Sequence, residues 1–238
     1  MSYMSQPVQL PLSVQIRDDA TFENFFSGDN AALVNILDMD QRVSGIDSEQ
    51  FIYLYGAPGV GCSHLLQAAC HQVDRRKGRS IYLPMKELVH YPSKLLEGME
   101  RLQLVCVDDV NAVAGIPEWE EGLFDLFNRL RDSRTRLLVA ADCPPKRLSI
   151  LLPDLVSRLS WGLVFQVQPL SDRDKVSALQ LRAHLRGLDM NEDVARYIIY
   201  RSNRDMGHLF KMLQKLDSAS LRAKRKLTIP FVKQVMNW

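Results

Sequence analysis

Hydrophobic and polar positions follow two regimes along this chain. Between residues 51 and 167, short apolar runs recur with amphipathic stretches between them. "FIYLYG" (51–56) is β-rich, apolar and ended by glycine, which predicts a buried strand. "SHLLQAACHQVDRR" (63–76) sets Leu65, Leu66, Ala69 and Val73 on one helical stripe. "SIYLPM" (80–85) predicts a second strand and "SKLLEGME" (93–100) a helix. "LQLVCVDDV" (102–110) is an almost wholly apolar strand with two aspartates at its carboxyl end. "PEWEEGLFDLFNRLRD" (117–132) opens with proline, a first-turn signal, and lines up Trp119, Leu123, Leu126, Phe127 and Leu130. "RLLVAADCPP" (136–145) is a strand stopped by a double proline, and "LVFQV" (163–167) closes the series. Strands apolar throughout and alternating with helices predict a five-stranded parallel α/β sheet covered on both faces.

The flanking regions read differently. Residues 1–20 predict a poorly structured tail with one short apolar patch. Residues 21–170 hold the α/β unit, with Leu33, Ile36 and Leu37 at helical spacing ahead of its first strand. From residue 171 to 238 the period is only helical, predicting a small all-α domain hinged near "QPLSD" (168–172). Its first helix begins at a Ser–x–x–Asp signal and ends at Gly187. Net charge is +2, so no strong field points to nucleic acid or membrane. No apolar run approaches membrane-spanning length, and the N-terminus carries no signal-peptide pattern. Cys70, Cys106 and Cys143 sit in apolar surroundings and read as core thiols, which suits a reducing cytoplasm.

"GAPGVGCS" (56–63) has the spacing of a phosphate-binding loop, with Gly56, Gly61 and Ser63 in place. Such a strand-to-helix turn aims backbone N–H groups at one point, and the helix N-terminus adds about half a positive charge. Pro58, Gly59, Val60 and His64 complete the predicted loop, and the Ser63 hydroxyl suits Mg²⁺. The plain alternative is a tight turn with no ligand. Asp108 and Asp109, ending a strand some fifty residues on, favour a nucleotide site: one carboxylate for Mg²⁺, the other for attacking water.

Cys62 stands where the loop lysine belongs. A neutral thiol cannot balance phosphate charge, and a thiolate would repel it. Losing that charge-assisted contact costs on the order of 1.5–3 kcal/mol, mostly at the γ-phosphate. The expectation is retention of diphosphate with poor hydrolysis of triphosphate. Asp142 ends the "LLVAAD" strand, where a polar group can sense a γ-phosphate, and Arg204 can approach from the helical domain. Arg158, on "LPDLVSRLSWG" (152–162), points outward while Leu155 and Leu159 point in; a surface arginine or an arginine finger fits. "QLPLSV" (9–14) suits docking into an apolar pocket.

In order along the chain, "TFENFFSGDN", "GAPGVGCSHLLQA", "LVCVDDV", "AADCPP", "DLVSRLSWG" and "RDMGHL" resemble the AAA+ region of the bacterial replication initiator DnaA. The pattern is similar to that of the DnaA-like regulators that inactivate DnaA. That resemblance implies a P-loop AAA+ module with a helical lid and a bound nucleoside diphosphate, typically ADP, with or without Mg²⁺. It implies docking on the DNA-loaded polymerase III β sliding clamp through Gln9, Leu10, Leu12 and Val14. DNA is then met only through the clamp, and stimulated ATP hydrolysis by DnaA down-regulates initiation. Arg158 maps onto the arginine supplied in trans, Arg204 onto sensor II, Asp142 onto sensor I and Asp108–Asp109 onto Walker B. Cys62 and Pro11 depart from the pattern. An autonomous ATPase acting as a loader, and a nucleic-acid module using the basic "RAKRK" helix end, are the rival readings. Self-association and base preference stay open.

Overall fold

A computed structural model of the chain describes residues 16–17, 19–38 and 50–238. The tail peptide Gln9, Leu10, Leu12 and Val14 lies outside the described residues. Helix α1 (Ala31–Leu37) precedes strand β1 (Phe51–Tyr55), and α2 (Cys62–Arg75) carries the chain to β2 (Ser80–Pro84). A single turn, α3 (Met85–Leu88), leads toward β3 (Leu104–Asp108), α4 (Pro117–Ser133) and β4 (Arg136–Ala141). Helix α5 (Pro153–Leu159) and β5 (Leu163–Gln166) complete the sheet. Its order is β2-β3-β4-β1-β5, with every pairing parallel.

Period-two alternation divides the strands between two cores. Ile52, Leu54, Leu104, Cys106, Leu138 and Ala140 face α1 and α2, where Leu65, Leu66, Ala69 and Val73 close one core. Tyr53, Val105, Val107, Leu137 and Val139 face the other way, onto Trp119, Leu123, Leu126, Phe127 and Leu130 of α4 and onto α5. All positions of β3 and β4 are buried, whereas β5, at the sheet's edge, alternates and leaves Val164 40% exposed. The sheet is therefore covered on both faces except along that rim.

Two local readings change. Residues 93–100 are not one α-helix but 3₁₀ turns at Ser93–Leu96 and Met99–Arg101. Glu97 is extended and Gly98 takes φ +80, so helical spacing of the leucines does not survive the backbone between them. Cys143 is half-buried at the core's margin rather than within it, although Cys70 and Cys106 are fully buried.

Helices α6 (Asp172–Leu185), α7 (Glu192–Arg201), α8 (Met206–Ala223) and α9 (Ile229–Met236) enclose a third apolar core around Leu179, Ile198, Leu209, Leu216 and Phe231. Each starts on a side-chain cap: Ser171, Asn191, Asp205 and Thr228 accept from the N–H groups of Asp174, Val194, His208 and Phe231. Just before α6, the Asn30 amide donates to Gln168 O (3.0 Å) and accepts from Gln168 N (2.7 Å). That paired contact fixes the strand-to-lid connection against the N-terminal segment.

Candidate nucleotide site

Chain order and strand order disagree at β1, which lies between β4 and β5, and ligands of open parallel sheets bind where such a switch occurs. A cavity of about 360 Å³ opens there, at the carboxyl ends of four strands. The β1 loop contributes Gly56, Pro58, Gly59, Gly61, Cys62, Ser63 and His64, β3 contributes Asp108 and Asp109, and Asp142 follows β4. Lys86, just beyond β2, and Arg17 and Arg182 also line it. The first bond within α2 runs from Leu65 N to Gly61 O (3.0 Å), so the amides of Cys62, Ser63 and His64 precede the helical ladder and are available to an anion.

Gly61 is left-handed at φ +112, and a Cβ there would meet the Phe25 ring at 2.7 Å. At Gly59 (φ +86) a Cβ would strike the Asp205 carboxylate. These glycines thus admit the N-terminal segment and the lid against the loop, a reason that loop spacing alone does not reveal. Val60 turns away from the main cavity, packs near Gly56 and lines an adjoining apolar crevice with Phe25, Phe26, Leu170, Met206 and Phe210.

Asp108 is 3% exposed. It accepts from the Tyr82 hydroxyl, from Asp109 N (2.9 Å) and from the Ser63 side chain. Burial raises its pKa despite these donors. Asp109 adopts φ +53 and pairs with Lys86 Nζ at 2.7 Å. Burial, with Asp108 nearby, pushes the Cys62 thiol up to about 12, so it is the neutral form that occupies the lysine position. Ser63, Asp108 and Asp109 are hard oxygen donors of the number Mg²⁺ takes from protein when phosphate supplies further ligands.

His64 is pushed down to about 4, chiefly by burial. Its neutral ring bonds Thr21 O through Nε2 at 2.9 Å, which makes that nitrogen the donor, so Nδ1 accepts from Arg182 Nη2 at 3.4 Å. The unfolded chain takes up this proton near pH 6.5, the native chain only near 4. The stability due to neutral His64 is therefore complete above about pH 6.5 and declines as pH falls toward 4, by about 3 kcal/mol. Asp108, with its raised pKa, contributes a slope of opposite sign in acid, so the informative quantity is a difference. Urea unfolding across this range is expected to show a shallower pH dependence for His64→Gln than for the native sequence; parallel curves would contradict the buried neutral ring.

Not every predicted residue meets here. Arg204 does not line this cavity: its guanidinium pairs with Asp172 at 2.7 Å beside a separate cleft. The lid faces the loop with Met206, Gly207 and Phe210 instead. Arg158 also lies away from the cavity, its guanidinium 5.4 Å from the Trp161 ring centre and 5.8 Å from that of Phe127. Sequence reasoning missed Lys86 and Arg182, which are distant along the chain from every motif. Arg182 has a nearly buried side chain; it donates to the Asp19 carboxylate and carbonyl (both 3.1 Å) and lies 4.5 Å from the Phe210 ring centre. It fastens the lid to the N-terminal segment.

A P-loop on β1, acids ending β3, a polar residue after β4 and a helical lid together define an AAA+ nucleotide-binding module. Residues 16–166 match the family model for the bacterial DnaA ATPase domain, and residues 172–236 match that for the Hda lid domain. The chain belongs to the bacterial DnaA ATPase-domain family, with a lid of the Hda kind. It is similar in structure to domain III of the Thermotoga maritima replication initiation protein DnaA, with 20% identity and a TM-score of 0.77 over 94% of this chain and 98% of that one. AMPPCP-bound DnaA from Aquifex aeolicus is 22% identical, with a TM-score of 0.71 over 84% of this chain and 65% of that one. RuvB from Thermotoga maritima is 15% identical, with a TM-score of 0.59 over 79% and 61%. Likeness at these identities speaks for the fold. Among the described residues no helix is long and apolar enough to cross a membrane.

Proposed function

We propose that this chain is a nucleoside-diphosphate-bound regulator of chromosome replication initiation in the cytoplasm. Docked on the DNA-loaded sliding clamp through Gln9, Leu10, Leu12 and Val14, it lends Arg158 to ATP-bound DnaA and speeds hydrolysis there. Its own nucleotide, ADP with or without Mg²⁺ on Ser63, Asp108 and Asp109, sets the lid and does not turn over. The observation that carries this reading is the loop itself: helix-start amides and two acids surround a cavity whose lysine position holds a neutral thiol. Backbone donors grip a pyrophosphate regardless of residue 62, whereas γ-phosphate charge goes uncompensated by the loop. Placement of Arg158 away from its own cavity supports action on a second molecule.

Chromatography of the nucleotide freed by denaturing the purified chain is expected to give diphosphate. Adding the chain to ATP-loaded DnaA and clamp on DNA is expected to hasten ATP loss, with no phosphate release from the chain alone. Tightly held triphosphate turned over by the isolated chain would favour an autonomous ATPase instead.

A further inference from the structure

Neither the loop nor α8 brings a cation to the cavity, since Cys62 and Gly207 occupy its wall. Lys86, Arg17 and Arg182 are the cations among the described residues lining it, against three carboxylates, Asp108, Asp109 and Asp142. Those charges already balance one another, so a bound polyphosphate would bring negative charge with no free cation among them to meet it. Arg182 is committed: its side chain is 4% exposed and is held by Asp19 and His64. Arg17 is forked onto Asp19 through Nε (3.1 Å) and Nη2 (3.2 Å). Lys86 differs from both. Its side chain is 63% exposed, its ammonium contacts Asp109 Oδ1 at 2.7 Å, and that partner is itself a carboxylate of the site.

We propose that Lys86 supplies the positive charge the phosphate loop lacks, leaving Asp109 for a phosphate oxygen of the bound nucleotide. This rests on the nucleotide-binding reading above and adds where its charge compensation comes from. The exchange costs little, because an exposed ion pair is weak while a dianionic or trianionic phosphate chain offers a stronger field. The lysine's four-carbon stem allows the movement, and its exposure leaves it room. The same movement frees Asp109 for a metal ion or water, so arrival of nucleotide and unmasking of that acid become one event. The loop cation has in effect moved from the start of α2 to the end of β2, two strands away from β1's neighbour β4 in the sheet order.

Calorimetric titration of the full chain, first stripped of any co-purified nucleotide, with ADP in metal-free buffer at several salt concentrations tests this. Lys86→Met is expected to weaken binding about 10- to 100-fold and to flatten its salt dependence. Lys86→Arg is expected to keep most of the affinity, and Cys62→Lys added to Lys86→Met to restore it. Lys86→Gln replaces Lys86→Met if thermal unfolding shows the latter misfolded. A neutral variant that binds ADP within twofold of the native sequence, with the same salt slope, overturns the assignment of Lys86 alone. A native chain that binds no nucleotide overturns the functional reading with it.

Discussion

Arg158→Ala is expected to leave a folded chain that holds its nucleotide yet no longer speeds ATP loss from DnaA. Arginine fingers contribute on the order of 10³–10⁵ in rate, so stimulation should fall to background. The fold has little at stake: Arg158 rests against the rings of Phe124, Phe127 and Trp161, contacts that contribute about 0.5–1 kcal/mol at a partly exposed site. Those rings have a second effect. They hold the guanidinium near the exposed Trp161 and so restrict its direction in the free chain. Arg158→Lys is expected to recover only a small part of the stimulation, because an ammonium keeps the charge and loses the planar fork. Radiolabelled ATP bound to DnaA, followed over time with clamp and DNA present, reads the outcome. Stimulation by Arg158→Ala equal to that of the native chain would place the catalytic contact elsewhere.

The largest effect on stability is expected from Glu120→Ala. This side chain is 1% exposed on α4, and its carboxylate accepts from Gly115 N (2.6 Å), Leu151 N (2.9 Å) and Leu152 N (2.8 Å). Leu152 is the N-cap of α5, so one carboxylate joins α4 to the helix that carries Arg158. Alanine leaves these donors unpaired in a poorly solvated place, at a cost of about 3–5 kcal/mol. For a chain of this size that is a fall of roughly 6–20 °C in Tm by calorimetry. Glu120→Gln retains one acceptor oxygen and should fall between the two. A Tm unchanged in Glu120→Ala would show that water satisfies these amides. Partial loss of stimulation without loss of ADP binding is the expected functional companion, since α5 would be loosened while the β1 loop is not.

Much of the scaffold could be read from the sequence, because a wholly buried parallel strand declares itself by composition. β3 and β4 are such strands, and Asp108 and Asp109 follow from the first of them. The Ser171–Asp174 start signal was equally plain because capping is local chemistry. Local patterns failed where the backbone intervened, as between Leu96 and Met99, where Gly98 and extended Glu97 interrupt a helical spacing. They also failed wherever position depends on strand order. Lys86 follows an unremarkable strand and reaches the cavity only because β2 lies beside β3. Arg182 sits inside a lid helix whose other buried residues are apolar or small, and only the docking of α6 against Asp19 and His64 gives it a role. Arg204 stands just ahead of α8, and its guanidinium pairs with Asp172 of α6, a partner no local pattern announces. Nothing in the helical stripe of α4 marks Glu120, because its burial is decided by loops thirty residues away.

A cysteine heading a helix is ordinarily exposed to peroxide and alkylating electrophiles, since the helix field favours its reactive anion. In Cys62 burial and the neighbouring acids outweigh that field, and the thiol stays neutral at neutral pH. The start of α2 is thus shielded, by its own burial, from the thiolate chemistry its helix field would otherwise favour.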